Sequence, residues 1–193
     1  VEEWKYSDLR VALGDAGVGT DQAQWHVSAP PKGVELFDLS QDSMPEWAAR
    51  HFGQAHRTVM GAASLALSDG GVALRVPKGA SIVEPLKLDF TGVGHVRALL
   101  VVEAGASVTL VETAAATSFR NVGFEIVLEA EAKLEHVRVS PLAAEAVLVE
   151  EAAIRIARGA EYRAHYAAFG SKLARMEVEI ALEGEGAQAH LSG

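Results

Sequence analysis

The chain has no cysteine among its 193 residues. A disulfide-stapled fold, thiolate metal ligands and a cysteine nucleophile are thereby excluded, and the cytoplasm is the default compartment. Long apolar runs are also missing: the stretch from Ala98 to Val102 is strand-sized, far short of the ~20 residues a membrane helix needs. The first residues do not predict a secretory signal. Basic residues are scarce, 17 Lys and Arg against 26 Asp and Glu, and are scattered singly. A net charge of −9 without clustered cations argues against a nucleic-acid surface. What remains, 49% hydrophobic and 22% charged, is an ordinary globular composition. It suffices for one sizeable core, or a core plus a small appendage.

Aspartate runs out along the chain: seven lie in the first 89 residues and none in the last 104. Proline is similarly biased, with only Pro141 after Pro85. The change of regime falls near Ser68–Gly71 and divides a mixed, partly helical region, 1–68, from a repetitive one, 69–193. In the first, "EEWKYSDLRVAL" predicts a short helix or turn carrying Trp4 and Tyr6, and "SAPPKG" and residues 14–19 predict loops. "VELFDLS" predicts a short strand. Ser43 and Glu46 are spaced as a capping box, with Pro45 in the first turn of a helix. Helical character continues through "HRTVMGAASLAL", where Val59, Ala62 or Ala63, and Leu67 share a face, until "SDGG" stops it.

The second region repeats one phrase. "ALRVPKGASIVEPLKL" from residue 73 returns as "ALLVVEAGASVTL", "EIVLEAEAKLEHV", "AIRIARGAEYRAH" and "IALEGEGAQAHL". With Ala80, Ala106, Ala132, Ala160 and Ala187 aligned, the spacings are 26, 26, 28 and 27 residues. Two positions later stand Ile82, Val108, Leu134, Tyr162 and Ala189, all apolar. Of the ten residues flanking these, nine are polar. That is the period-two alternation of strands with one face inward. Upstream, Leu74, Leu100, Ile126 and Ile154 form another column, as do Val76, Val102, Leu128 and Ile156. The fifth repeat needs one inserted residue to bring in Ile180 and Leu182. Repeats of this length imply a solenoid. Two short strands about a Gly-Ala corner, without the helices of leucine-rich, ankyrin or tetratricopeptide repeats, imply coils of a parallel β-helix stacked at ~4.8 Å. An array of hairpins is the alternative, but hairpins do not force columns to coincide.

Chemical motifs are sparse. "GDAGVG" lacks the Lys-Ser/Thr of a phosphate loop, no Gly-x-Ser-x-Gly elbow occurs, and "HRTVMGAAS" lacks zinc-helix spacing. His136 has inward parity beside the columns of Leu110 and Ala164, which predicts an interior or edge histidine with its partners in place. His165 and His190 have outward parity on neighbouring coils, offset by two residues, about 7 Å. They are two solvated imidazoles or, alternatively, a metal pair. Glu150 and Glu151 predict a charged turn and not an acid–base pair. Polysaccharide-cleaving β-helices use clustered Asp as acid and base or as calcium ligands, and the repeat region has none. A hexapeptide acyltransferase would repeat about every eighteen residues, where this chain repeats about every 27. Catalytic and metal sites are therefore expected to be none.

The order and spacing of "EEWKYSDL", "SDGGVALRVPKGASIVEPLKL", "HVRALLVVEAGASVTLVE" and "GAEYRAHYAAFGSKLARMEVEIALEGEGAQAHLSG" resemble the SufB/SufD family, most of all its SufD branch, over essentially the whole chain. The resemblance implies an N-terminal helical region and a right-handed parallel β-helix. It also implies a scaffold role in SUF iron–sulfur cluster assembly, with SufB and the ATPase SufC as partners. The sequence stops at Gly193 in mid-coil, so the expectation is a truncated core. The family's C-terminal coils and helical segment, with their partner contacts and functional Cys or His residues, have no counterpart here. No iron or cluster ligand carries over; either is implied only for the full complex. An uncapped last coil would make the chain self-associate near Ile180–Leu191. The competing readings are a β-helix carbohydrate-active enzyme and a purely structural or adhesive solenoid.

Overall fold

A computed structural model describes residues 8–14, 23–54, 58–68 and 70–193. Trp4, Tyr6, most of the 14–19 loop and His56 lie outside the described residues. Among the described residues three short helices, α1 (Leu9–Leu13), α2 (Glu46–Ala49) and α3 (Val59–Leu67), accompany twelve strands. The strands are β1 (Gln24–Ser28), β2 (Glu35–Asp38), β3 (Gly71–Val76), β4 (Leu86–Thr91), β5 (Gly94–Val102), β6 (Ser107–Ala114), β7 (Phe119–Leu128), β8 (Lys133–Pro141), β9 (Val147–Ile156), β10 (Glu161–Phe169), β11 (Leu173–Leu182) and β12 (Gln188–Ser192). They form two six-stranded sheets, β1-β4-β6-β8-β10-β12 and β11-β9-β7-β5-β3-β2. From β3 onward successive strands alternate between the sheets, and every pairing among β3 to β12 is parallel. This is a parallel β-helix, and hairpins are excluded.

The register reproduces the sequence columns. Leu74, Leu100, Ile126, Ile154 and Ile180 pair in series, as do Val108, Leu134, Tyr162 and Ala189. Ala106, Ala132 and Ala160 are fully buried at the corner, where each carbonyl accepts from the backbone N–H of the next coil. The residue before each corner alanine has positive φ: it is glycine at Gly79, Gly105, Gly159 and Gly186, and Glu131, with φ of 61°, takes the same conformation with a side chain. The extra residue of the fifth coil sits in this corner, between Leu182 and Ala187. The two extra residues of the fourth lie at the opposite corner, between Leu142 and Val147.

The sheets differ in what covers their outer faces. β6 and β8 alternate buried with more exposed positions, because one face of their sheet meets water. β7 and β9 are buried on both faces. Two apolar clusters seal their sheet from outside. Ala73, Leu99, Val101 and Val127 meet Phe37, Met44, Trp47 and Phe52; Phe119, Val147 and Val149 meet Leu9, Leu13 and Met60.

Three expectations about the N-terminal region change. The capping box does not form: Pro45, in extended conformation, is itself the N-cap of α2, so Glu46 is the first helical residue and pairs with Arg50 instead. α3 is a separate helix, capped by Thr58, whose Oγ1 accepts from Gly61 N at 3.0 Å. Its inner face is not Val59 and Leu67, which are 75% and 60% exposed, but Gly61 and Ser64. The sheet beneath presents charged side chains, and small or hydroxyl residues fit them where Val and Leu would not. The free edges of the first coil are met by strands. β1 pairs antiparallel with β4 and β2 with β3, closing both sheets, while α3 lies across β5, β7 and β9.

Candidate functional site

Inward positions of the open sheet begin apolar after each Gly-Ala corner and become charged further along. Val108, Leu134 and Tyr162 share one register level, then Leu110, His136 and Ala164, then Glu112, Arg138 and Tyr166. The covered sheet runs the opposite way across the lumen, and its early inward residues are Arg120 and Glu150. One half of the lumen is therefore hydrocarbon and the other holds buried ionisable groups.

Glu112 accepts from or pairs with two neighbours: its Oε2 lies 2.9 Å from His136 Nε2 and its Oε1 2.9 Å from Arg138 Nη2. The same Arg138 nitrogen reaches Glu150 Oε1. His136 Nδ1 is 2.9 Å from the Tyr162 hydroxyl, which is 2.5 Å from that of Tyr166. Burial works to raise the Glu112 pKa, but the Arg138 charge and the His136 hydrogen bond outweigh it and hold the group below the usual carboxylate range. Burial pushes Glu150 up to about 7, helped by Glu112 and opposed by Arg138. Burial alone would lower Arg138, yet the two carboxylates raise it. Tyr162 and Tyr166 are both raised, chiefly by burial. Arg120 donates to the carbonyls of Phe90, at 2.9 Å, Gly92 and Ala115, and burial lowers it to about 10. A cavity of about 180 Å³, lined by Arg138, Ser140, Glu150, Tyr166, Arg175 and Met176 among others, adjoins the group.

A second polar layer lies on the outer face of the covered sheet. Arg97 Nη2 is 2.9 Å from Glu125 Oε1, and its Nη1 donates to Ser64 Oγ of α3 at 2.9 Å. Gly53 N donates to Glu125 at 2.7 Å, Thr58 Oγ1 to Glu151 at 2.8 Å, and Asn121 Nδ2 to the Met60 carbonyl at 2.7 Å. Burial lowers Arg97. These contacts fasten the N-terminal helices to the solenoid.

His136 is, as its parity predicts, an interior histidine with both ring nitrogens occupied. His165 and His190 stand on adjacent strands with the expected offset, Arg163 opposite His190 and His165 opposite Ser192. His165 Nδ1 lies 3.0 Å from Ser192 Oγ. Among the described residues no three His, Asp or Glu group as metal ligands. Glu150 and Glu151 correct the expected charged turn: both are buried in β9, one facing the lumen and the other α3, because both faces of that strand are covered. Sequence reasoning also missed Arg97, Arg120 and Arg138. The signal was partial: Arg120 and Arg138 have the inward parity of the repeat, whereas Arg97 has outward parity and is internal because α3 covers it.

Among the described residues no helix is long and apolar enough to cross a membrane. A search of curated proteins finds no match to the chain. Residues 89–193 match the family model described as SUF system FeS cluster assembly, SufBD core domain. That span takes in β4's end through β12, the stacked coils with their charged lumen, and is more than half the chain. The chain therefore belongs to the SufBD core family of the SUF iron–sulfur cluster assembly system.

Proposed function

We propose that this chain is a SufD-like scaffold component of iron–sulfur cluster assembly. It works in the cytoplasm through contacts with homologues of SufB and of the ATPase SufC, and it performs no covalent chemistry itself. Family membership supports the setting. The observation that carries the scaffold reading is the commitment of the buried ionisable groups to one another. Glu112, His136, Arg138 and Glu150 form one internally paired set, as do Arg97 and Glu125, so they serve the fold more directly than a substrate. With no thiolate in the sequence, the strongest cluster ligand is lacking too, and iron is cargo handled by the wider assembly. Co-expression of the tagged chain with SufB and SufC homologues tests the reading, and stable co-purification of both is expected. Purification of the chain without either partner would overturn it, as would stoichiometric iron that survives desalting after anaerobic reconstitution of the chain alone.

The same reading includes self-association of the chain alone. β11 and β12 are edge strands of the two sheets, and Leu182 and Leu191 on them are 58% and 45% exposed. Unpaired strand edges with apolar side chains favour pairing with another strand. Light scattering over a concentration series should show a dimer or larger species; a monomer at every concentration would refute it.

A further inference from the structure

Three adjacent strands of the open sheet, β6, β8 and β10, bring a carboxylate, an imidazole and a phenol into one hydrogen-bonded line. The Tyr162 hydroxyl of β10 lies 2.9 Å from Nδ1 of His136 on β8, and Nε2 of that ring lies 2.9 Å from Oε2 of Glu112 on β6. Tyr162 and Glu112 are fully buried and His136 is 1% exposed. Phe124 packs edge-on against the imidazole with ring centroids 5.9 Å apart, which keeps water from it.

The direction of each hydrogen bond follows from the Glu112 end. Glu112 pairs with Arg138 as a carboxylate, so it accepts, and His136 donates to it from Nε2. The neutral imidazole then carries its lone pair on Nδ1, toward the Tyr162 hydroxyl, which donates to it. Tyr166 donates in turn to the Tyr162 oxygen at 2.5 Å. A buried phenol O–H is thus aimed at a base that a carboxylate backs. One reaction exploits that geometry directly. A phenol that loses an electron becomes a strong acid, and the cation it would leave is costly where water is excluded. A base already in hydrogen-bond contact takes the proton as the electron leaves, and no uncompensated cation forms on the ring.

We infer that Tyr162 is a one-electron redox site, oxidised to a neutral phenoxyl radical while its proton passes to His136. The co-reactant is an outer-sphere one-electron oxidant of the class of high-potential metal complexes. Tyr162 and the oxidant give the Tyr162 radical, the His136 imidazolium and the reduced oxidant. The phenol O–H bond breaks, an N–H bond forms at Nδ1, and Nε2 keeps its hydrogen on Glu112. The Glu112 carboxylate, 2.9 Å from the ring, stabilises the imidazolium, and Arg138, which opposes a second positive charge there, is itself shared with Glu150. Reduction returns the proton along the same hydrogen bond. Burial keeps the radical from coupling with another ring, and the Tyr166 hydroxyl, half-buried beside the cavity, remains hydrogen-bonded to its oxygen. The site adds electron transfer to the scaffold and does not depend on the partners proposed for it.

Hexachloroiridate(IV) is the probe, and with no cysteine in the chain no thiol consumes it first. Rapid mixing with the whole chain followed by freezing should give the electron paramagnetic resonance signal of a neutral tyrosyl radical that outlives the radical of free tyrosine in the same mixture. Tyr162→Phe should remove that long-lived signal. His136→Gln, which stays polar but takes no proton, should slow its formation about a hundredfold, the contribution of a positioned base. In the wild-type chain the rate of formation should change less than about twofold between about pH 8 and about pH 9.5, whereas a phenol that gives its proton to water reacts through its phenolate and gains about tenfold per pH unit there. Absence of the signal overturns the proposal, as do its survival in Tyr162→Phe, an unchanged rate in His136→Gln, or a tenfold rise per pH unit. Should the variants fail to fold, high-field spectra of the wild-type chain in water and in deuterium oxide decide: an exchangeable proton coupled to the phenoxyl oxygen is expected, and its absence refutes the site.

Discussion

The guanidinium of Arg97 lies directly over Gly123. A Cβ at position 123 would sit 2.1 Å from Arg97 Nη1 and 2.5 Å from Ser64 Oγ. In register the column runs Arg97, Gly123, Glu151, so the missing side chain in the middle is what lets Arg97 lean across β7 to Glu125 and up to α3. Gly123→Ala should push Arg97 aside and leave Glu125 buried with a broken ion pair. Breaking such a pair costs about 3 kcal/mol. Urea unfolding should show that loss, and limited proteolysis should release the N-terminal helices sooner. Wild-type stability would mean that Arg97 does not hold α3 in place.

The corner residue gives a cleaner backbone test. Glu131 holds a left-handed φ of 61° where the other coils have glycine, and its pairing with Arg158 is largely exposed. Left-handed backbone strains a side-chain-bearing residue by about 1–2 kcal/mol, and an exposed pair returns only a few tenths. Glu131→Gly should therefore stabilise by about 0.5 kcal/mol after the added chain entropy of glycine. At the equivalent Gly105 a Cβ meets nothing within 4 Å, so Gly105→Ala should destabilise by about 1 kcal/mol through φ alone. Thermal melts of both variants check the opposite signs.

Inside and outside can be separated at adjacent residues. Leu134 is 1% exposed, at the level of Val108 and Tyr162, whereas Lys133 faces water. Leu134→Lys buries an unpaired charge and should destabilise by several kcal/mol or prevent folding. Lys133→Leu should change stability by less than about 0.5 kcal/mol. Equal melting temperatures would disprove the register.

What the sequence disclosed and what it hid have one physical origin. Columns such as Leu74–Leu100–Ile126–Ile154 announce themselves because a stacked coil must repeat its inward apolar residue. The same logic located His136 inside. It failed where an inward or covered position carries a charge. Glu150 and Glu151 are consecutive acids, the usual mark of a solvated turn; Glu150 is internal because it faces the lumen, and Glu151 because α3 covers the outer face of β9. α3 was misoriented for the matching reason. Its partner surface includes Arg97, Asn121 and Glu151, so its buried side is Gly61 and Ser64, and an apolar moment points the wrong way. The candidate site is made of the residues that break the hydrophobic pattern, and only the three-dimensional register shows that they meet.

Glu112 gives the lumen an acid limit. Burial acts against its charge, but Arg138 and His136 prevail and hold its pKa below the ordinary value of 4.5. A carboxyl group depressed in the folded state binds protons better when unfolded. Its stabilisation is present above about pH 4.5 and is lost as pH falls through the folded value. Glu150 has the opposite sign. Raised to about 7, it contributes stability that is full below 4.5 and disappears as pH climbs through 7. Glu112→Gln should erase the acid limb while lowering overall stability, since Arg138 loses a partner. It should also shift the Glu150 limb downward, because the Glu112 charge is one of the influences raising Glu150. Urea unfolding at a series of pH values reads both effects in one experiment. A variant that keeps the wild-type acid limb would show that Glu112 is not ionised in the lumen, and the pairing with Arg138 would have to be abandoned.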